Sequence, residues 1–361
     1  MNHIMEKASI VIPVYNGENY IVHAVNSCLN QDYDNIEILL INDGSKDNSD
    51  RICESMQEKY PNVKYYYQDN QGQGTARNLG VEKASGKYIF FLDVDDEIES
   101  NTVSQCVEKM KKNGGELCLF DFCMRNETGK IVGGIPNPLE DGFYQEDKIK
   151  HIVLNILGPD KWTSDKSKHS LNGSAYSMSV CRFAYTREFL LSNNIKFKLR
   201  TYEDLTFPME CLIYCKKLVT IDKYFYKYNI SNMDSTTHVS ESIQLKRRIE
   251  QYEELKRLAD LVPYKDEFLD RMRIRMAFVL DSAYYSVSND IKLSFKEKIK
   301  MIKDTYKNED VLEAVKVIKK SGSKFDFIYW LIKKGYAFSI YLYEKLYRSL
   351  LNIKISVTRV K

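Results

Sequence analysis

The sequence predicts an α/β protein, a parallel sheet covered by helices with a helical region behind it. Three observations carry that expectation. Apolar runs rich in β-branched residues alternate with helically spaced segments through the first hundred residues. The connections between them are short, and beyond about Val239 helical patterns dominate. Strands that read as continuous apolar runs are those buried on both faces, as in parallel sheets.

The elements follow in order. Ser9–Val14 is a continuous apolar run with a proline near its end, and Glu18–Asn30 then has helical spacing. Ile36–Ile41 is a second buried strand; the turn Asp43-Gly44-Ser45 leads into a helix from about Asp47 to Lys59. Val63–Tyr67, Gly74–Ala84 and Tyr88–Leu92 continue as strand, helix and strand. From about Asn101 to His238 the pattern is mixed, with a strand near Glu116–Cys123, a Gly/Pro-rich bend at Gly133–Pro138 and a helix ending near Leu157. Asp160–Asn172 is polar and reads as a mobile loop, whereas Gln244–Leu261 and Phe268–Val287 read as helices. The expected division is 1–238, with halves 1–100 and 101–238, followed by 239–361.

Bulk properties narrow the function classes. A net charge of +3 gives no electrostatic case for nucleic acid. The eight cysteines show no CxxC spacing, so buried free thiols and a reducing compartment are expected. Met1–Ala8 and the brief apolar run behind it do not make a signal peptide, and no stretch of about 18 apolar residues is present. The histidines have no metal-site spacing. Gly72, Gly74 and Gly80 precede the third helix and do not follow the first strand, which rejects a dinucleotide fingerprint.

Chemistry concentrates at the strand exits. Tyr15, Asn16, Asp43, Asp69, Asn70, Asp93 and Asp95 all follow strand ends, where open α/β sheets bind ligands. Phe90-Phe91-Leu92-Asp93-Val94-Asp95-Asp96 delivers three acids from one hydrophobic strand. Carboxylates so placed suit Mg²⁺ or Mn²⁺, which bind one or two protein carboxylates together with substrate phosphates. The same acids also suit a helix start.

These segments together resemble inverting family 2 glycosyltransferases of the GT-A fold. The resemblance runs through Ile10-Val11-Ile12-Pro13-Val14-Tyr15-Asn16, Glu18-x-Tyr20-Ile21 and Ile41-Asn42-Asp43-Gly44-Ser45 with Asp47. It continues through Asn70-Gln71-Gly72-x-Gly74-x-Ala76-Arg77-Asn78-x-Gly80 and Gly86–Asp96, in the family's order and spacing, and more faintly to about residue 238. It implies a wall for the nucleotide base at Pro13 and Tyr15, an acid near the nucleoside at Glu18, and a base-binding carboxylate at Asp43. Asn70 and Arg77 match the segment lining the donor; alternatively, Arg77 pairs with a carboxylate such as Asp93 or Asp95. Asp93, Val94 and Asp95 match the nucleotide and metal region, with Asp95 the direct ligand and Asp93 beside it.

Tyr202-Glu203-Asp204-Leu205-x-Phe207 resembles the family's acidic pair opening an acceptor-side helix, about 110 residues after the metal motif. Inverting transfer needs one carboxylate to deprotonate the acceptor hydroxyl, a role the match gives to Asp204 with Glu203 in support. Arg187-Glu188-Phe189-Leu190 and Tyr224-Phe225-Tyr226-Lys227-Tyr228 with Ser235 also resemble the family. Two features depart from it. Cys181-Arg182 occupies an approach that often holds tryptophan, and Asn229 stands where an arginine is usual, so that diphosphate contact is either lost or taken over by Lys227 or His238.

From Val315 onward the chain is basic and aromatic, including Lys333, Lys334, Lys345, Trp330, Tyr336, Phe338 and Tyr341. Such a segment suits an anionic membrane interface, and it also suits a solvated helical cap, a homodimer or a glycan acceptor. The resulting expectation is a cytoplasmic enzyme, peripheral on the inner membrane face through 315–361. It would move a hexose or N-acetylhexosamine from a nucleotide-diphospho-sugar, UDP-linked, to a sugar hydroxyl of a surface glycan or lipid-linked acceptor. Two rivals stand beside it. A nucleotidyltransferase wants a Gly-rich basic loop after the first strand, which Pro13–Gly17 lacks; a non-catalytic carbohydrate-binding or scaffold protein does not need Asp93, Asp95 and Asp204 together.

Overall fold

The fold is described from a computed structural model, over residues 5–136, 139–158, 178–200, 203–232, 241–305, 307–319, 330–332 and 334–346. These residues form two compact units, 5–156 with 178–232, and 157–158 with 241–346. The segment 160–172, expected as a loop, lies outside the described residues, as do 233–240.

The first unit opens with β1 (Ala8–Val14), α1 (Ile21–Leu29), β2 (Ile36–Asp43), α2 (Ser49–Lys59), β3 (Val63–Gln68), α3 (Gln73–Lys83) and β4 (Tyr88–Phe91). Then follow β5 (Glu97–Ile98), α4 (Thr102–Asn113), β6 (Leu117–Arg125), β7 (Ile131–Ile135), β8 (Gly142–Gln145) and α5 (Glu146–Leu157). After a 3-10 turn at Val180–Arg182 come β9 (Phe183–Thr186), α6 (Arg187–Ser192), α7 (Glu203–Tyr214) and β10 (Lys217–Asn229). All the strands join one sheet of order β3-β2-β1-β4-β9-β6-β10-β5, with β7 on β6 and β8 on β10. β1 to β4 are mutually parallel, β10 is parallel to β6, and β9 runs against both β4 and β6. Six strands therefore deliver their carboxyl ends to one edge.

The order reverses at β1: the chain moves outward through β2 and β3, then returns to place β4 on the other side. A crevice opens at such a reversal, outside the strand ends. Here it receives the loop after Val14 and the acids after Phe91. The two loops touch, since a β-carbon at Gly17 would lie 3.0 Å from Val94 Cγ2.

Local chemistry explains one departure from the expected elements. The first helix begins at Ile21 and not at Glu18, because Glu18 does not cap it. Glu18 Oε2 instead accepts from the Asn48 backbone N–H (3.0 Å) and side-chain amide (2.7 Å), at the head of α2. Asp47 returns the contact by accepting from Glu18 N at 3.1 Å. The loops after β1 and β2 are thereby braced against each other.

The second unit contains α8 (Glu241–Ala259), α9 (Lys265–Asn289), α10 (Phe295–Thr305) and α11 (Glu309–Lys319). Phe268, Met272, Leu280, Tyr284 and Val287 of α9 are buried. Among the described residues no helix is long and apolar enough to cross a membrane. All eight cysteines are buried free thiols.

One buried charge knits the amino ends of the central strands. Glu37 in β2 accepts from Ser9 Oγ (2.6 Å), Ser85 N (2.6 Å) and Lys64 Nζ (2.7 Å), and its side chain is 3% exposed. Burial alone would raise its carboxyl, but these hydrogen bonds outweigh burial and hold it at about 2. A depressed carboxylate contributes stability that is present above the unfolded value and is lost as pH falls through the folded one. A shift of that size corresponds to roughly 3 kcal/mol at neutral pH. Glu37→Gln should therefore lower the urea midpoint at pH 7, with the gap to wild type narrowing from about pH 4.5 towards pH 2.

Candidate functional site

The site is built around a buried arginine. Arg77 lies on α3, whose residues pack closely against their surroundings: Gly74 has room for no side chain beneath the Leu199 carbonyl, and Asn78 clamps the Phe197 backbone. Asn78 Nδ2 donates to Phe197 O and its Oδ1 accepts from Phe197 N, both at 2.9 Å. Arg77 itself is fully buried. One amino group donates to Glu203 Oε1 and the other to Asp93 Oδ1 at 2.6 Å, while its plane lies 5.5 Å from the Phe197 ring centroid. Burial disfavours its charge, but Asp93 and Glu203 outweigh that and keep it a cation. The ion pair given as the alternative reading of this arginine is formed, with Asp93, and both terminal amino groups are taken by carboxylates.

An aromatic cluster holds the two partners in place. Phe91 at the end of β4 meets Tyr185, Phe197 and Phe207 at centroid separations of 5.5, 5.4 and 6.0 Å, and Phe197 stacks on Phe207 at 3.7 Å. Phe207 belongs to α7, so the strand that ends at Asp93 and the helix that begins at Glu203 share one core.

The other expected residues divide between buried and open positions. Pro13 is buried within β1 against Ile41, which leaves Tyr15, 49% exposed, as the open part of the proposed base wall. Asp43 is buried and already accepts from Gln71 N, Gly72 N and Gln68 Nε2 at 2.7–2.8 Å, which shapes the turn after β3. Asn70 is exposed, donates to Asp43 O at 3.0 Å and accepts from Arg200. Val94 packs on Gly17. Lys227 pairs with Glu99 at 2.9 Å, on the β5 side of the sheet. Ser235 and His238 lie outside the described residues.

The three acids after β4 separate by environment. Asp93 keeps a third of its side chain exposed. Asp95 accepts from Asn232 Nδ2 at 2.7 Å; burial first, and then the Asp93 charge, push its carboxyl up. Asp96 is buried and structural: Tyr226 Oη donates to it at 2.5 Å and Asn229 N at 2.7 Å. Asn229, in place of the arginine usual in the family, is buried at this clasp.

Among the described residues no three His, Cys, Asp or Glu side chains group into a complete metal cage. The donor set nonetheless fits a hard divalent cation shared with substrate phosphates, because Asp93 and Asp95 crowd like charges that such an ion would relieve.

At the head of α7, Glu203 is fully buried, and its Oε2 has no hydrogen-bond partner among the described residues. Burial pushes its carboxyl up to about 7, with the Arg77 cation pulling it back and Asp204 adding to the rise. Asp204 is half-buried and accepts from Val180 N at 3.2 Å. Burial raises its carboxyl as well, opposed by Arg77 and reinforced by Asp93. The resemblance includes Tyr226 in a tyrosine-rich strand without assigning it a role; it bonds Asp96 and also accepts from Asp93 N at 3.3 Å, whereas Arg125, which donates to Asp95 O at 3.2 Å, is not singled out by the sequence. Both come from distant strands, and no local signal marks the contacts they make.

Comparison with known proteins shows the family and the fold. The model for "Glycosyl transferase family 2" matches residues 9–156. Glycosyltransferase GlyG of Streptococcus pneumoniae serotype 4 is 33% identical over 226 residues, 62% of this chain and 70% of GlyG. An uncharacterized glycosyltransferase of Escherichia coli K12, YibD, is 30% identical over 235 residues, 64% of each chain. The minor teichoic acid biosynthesis protein GgaA of Bacillus subtilis 168 is 33% identical over 61% of this chain and 46% of its own length. The chain thus spans less than two thirds of YibD and under half of GgaA. Residues 1–349 of Staphylococcus aureus TarS, solved with UDP-GlcNAc, superpose with a TM-score of 0.64 at 20% identity, covering 95% of this chain and 92% of that one. That likeness shows the fold, a GT-A domain with C-terminal helices.

Removing Arg77 would strand two carboxylates, one of them wholly buried. Arg77→Met should lower the unfolding free energy by about 3–5 kcal/mol, and combining it with Glu203→Met should recover part of the deficit. Urea unfolding of the wild type and these two variants, followed by far-UV circular dichroism, reads this directly.

Proposed function

The chain belongs to glycosyltransferase family 2, and from that premise we propose that it is a metal-dependent inverting glycosyltransferase using a nucleotide-diphospho-sugar. The observation that carries the reading is Arg77: one guanidinium holds Asp93 of the donor-side motif and Glu203 of the acceptor-side motif, 126 residues from Arg77 itself. The acid two residues before Asp95 and the acid next to Asp204 are thereby held by one cation at one sheet edge.

In the proposed reaction the acceptor hydroxyl gives its proton to the Asp204 carboxylate as its oxygen bonds to the anomeric carbon. The bond from that carbon to the diphosphate breaks, its electron pair leaves on the phosphate oxygen, and configuration inverts. Asp95 and Asp93 would hold Mg²⁺ or Mn²⁺, whose charge offsets that developing on the leaving group. Tyr15 offers an exposed ring for the base. Glu203, clamped by Arg77, orients the head of α7 and with it Asp204.

TarS was solved with UDP-GlcNAc, and GgaA is named for minor teichoic acid synthesis. These favour a UDP-linked hexose or N-acetylhexosamine as donor and a sugar hydroxyl of a surface or lipid-linked glycan as acceptor. Peripheral membrane contact is favoured by exposed Trp330, Tyr336, Phe338 and Leu346 beside lysines of the second unit.

The test is nucleotide release from UDP-, GDP- and dTDP-sugars, with and without Mn²⁺. Asp95→Ala should abolish the metal-dependent release, and Asp204→Asn should slow transfer by roughly 10²–10⁴-fold. Release that is the same without metal, or in Asp95→Ala, would sink the metal assignment, and no turnover or nucleotide binding would favour the scaffold reading. Because the Asp204 carboxyl is raised and must be ionised to act, activity should fall with decreasing pH, beginning above the ordinary carboxylate range.

A further inference from the structure

A second concave feature lies on the β5 side of the sheet. The patch of β7, β6, β10 and β5 floors a groove of about 500 Å³. Gly134, Cys123, Lys227 and Glu97 stand side by side in one cross-strand row and all line it; Ile131 and Arg125 are paired two residues along and line it too. The intervening row, Ile135, Phe122, Tyr226 and Ile98, points to the opposite face by the pleat. Tyr226 is the residue that meets Asp96 and the Asp93 amide, so the groove opens on the face of the sheet away from it.

Its chemistry is specific. Arg125 pairs with Glu97 at 3.3 Å and Lys227 with Glu99 at 2.9 Å, so the polar floor carries balanced charge and does not attract an anion. The Arg125 Nε is buried and has no hydrogen-bond partner among the described residues. β10 is irregular on both sides of Tyr224, and bulges of this kind re-aim a side chain. Tyr224 is 45% exposed and its ring passes over Gly134 of β7, where a β-carbon would come within 2.5 Å of Tyr224 Cε1. The rim is a turn held by Asn126 Oδ1, which accepts from Thr128 N and Lys130 N at 3.2 and 3.0 Å.

An exposed aromatic face beside fixed, charge-balanced donors and acceptors matches a ring with an apolar C–H face and a rim of hydroxyls. We propose that this groove is a second saccharide-binding site, taking one or two units of a neutral sugar, separate from the transfer site. It requires no nucleotide, so it stands or falls independently of the transferase reading.

Saturation-transfer NMR on the full chain, without nucleotide, tests this with glucose, galactose, N-acetylglucosamine and lactose as probes and glycerol 3-phosphate as the anionic control. At least one neutral sugar should bind. Tyr224→Ala should weaken it roughly tenfold, the scale on which truncating an aromatic anchor acts. Gly134→Ala, which displaces the ring without removing it, should weaken the same sugar, and Asp204→Asn should leave it unchanged. The proposal is overturned if no probe sugar shows dependence on Tyr224, or if glycerol 3-phosphate displaces the sugar as well as a second sugar does.

Discussion

The arrangement depends on one desolvated cation bridging two carboxylates that the chain supplies far apart. Arg77 is buried between Asp93 and Glu203, and a charge so placed is tolerated only while both partners stay in position. The sheet edge, the aromatic cluster and the Asn78 clasp on Phe197 all enforce that position. The interaction is a poor source of net stability, since burying ions costs about as much as their attraction returns. Its value is geometric: the acid after β4 and the acids opening α7 cannot drift independently.

Much of this is legible in the sequence. The central strands announce themselves because β1, β2 and β4 are buried throughout and so read as largely apolar runs, with Ser9 and Glu37 as polar interruptions. The acids at their exits follow from the strand ends. Features that depend on long-range contact are not legible. β5 is two residues long and β9 four, and both exist because neighbours pair with them. The start of α1 differs from the expected one because an acid in the right position for its own helix caps another. Arg77 fits two roles by sequence because residue type alone cannot say whether a guanidinium faces solvent or a buried carboxylate.

The segment around Arg77 resembles a ligand-lining motif yet is itself turned inward. Gly74, Ala76, Arg77, Asn78 and Gly80 resemble a ligand-lining stretch, yet each is occupied with internal packing or internal polar contacts. Their connection to function is indirect, through the residues they hold. Asp96 is similar, the third acid after β4, whose own carboxylate secures the end of β10.

The brace between the first two loops has a different kind of consequence. Glu18, Ser45, Asp47, Asn48 and Ser49 bond across the gap and define the backbone there, while Tyr15, Asn19 and Lys46 stand exposed on it. Side chains that shape the scaffold are thus separate from side chains that face outward. A lineage can exchange the latter, and so retune what the crevice accepts, without refolding the loops that present them. The polar brace makes this corner of the molecule evolvable: selectivity is free to wander because the frame beneath it is not.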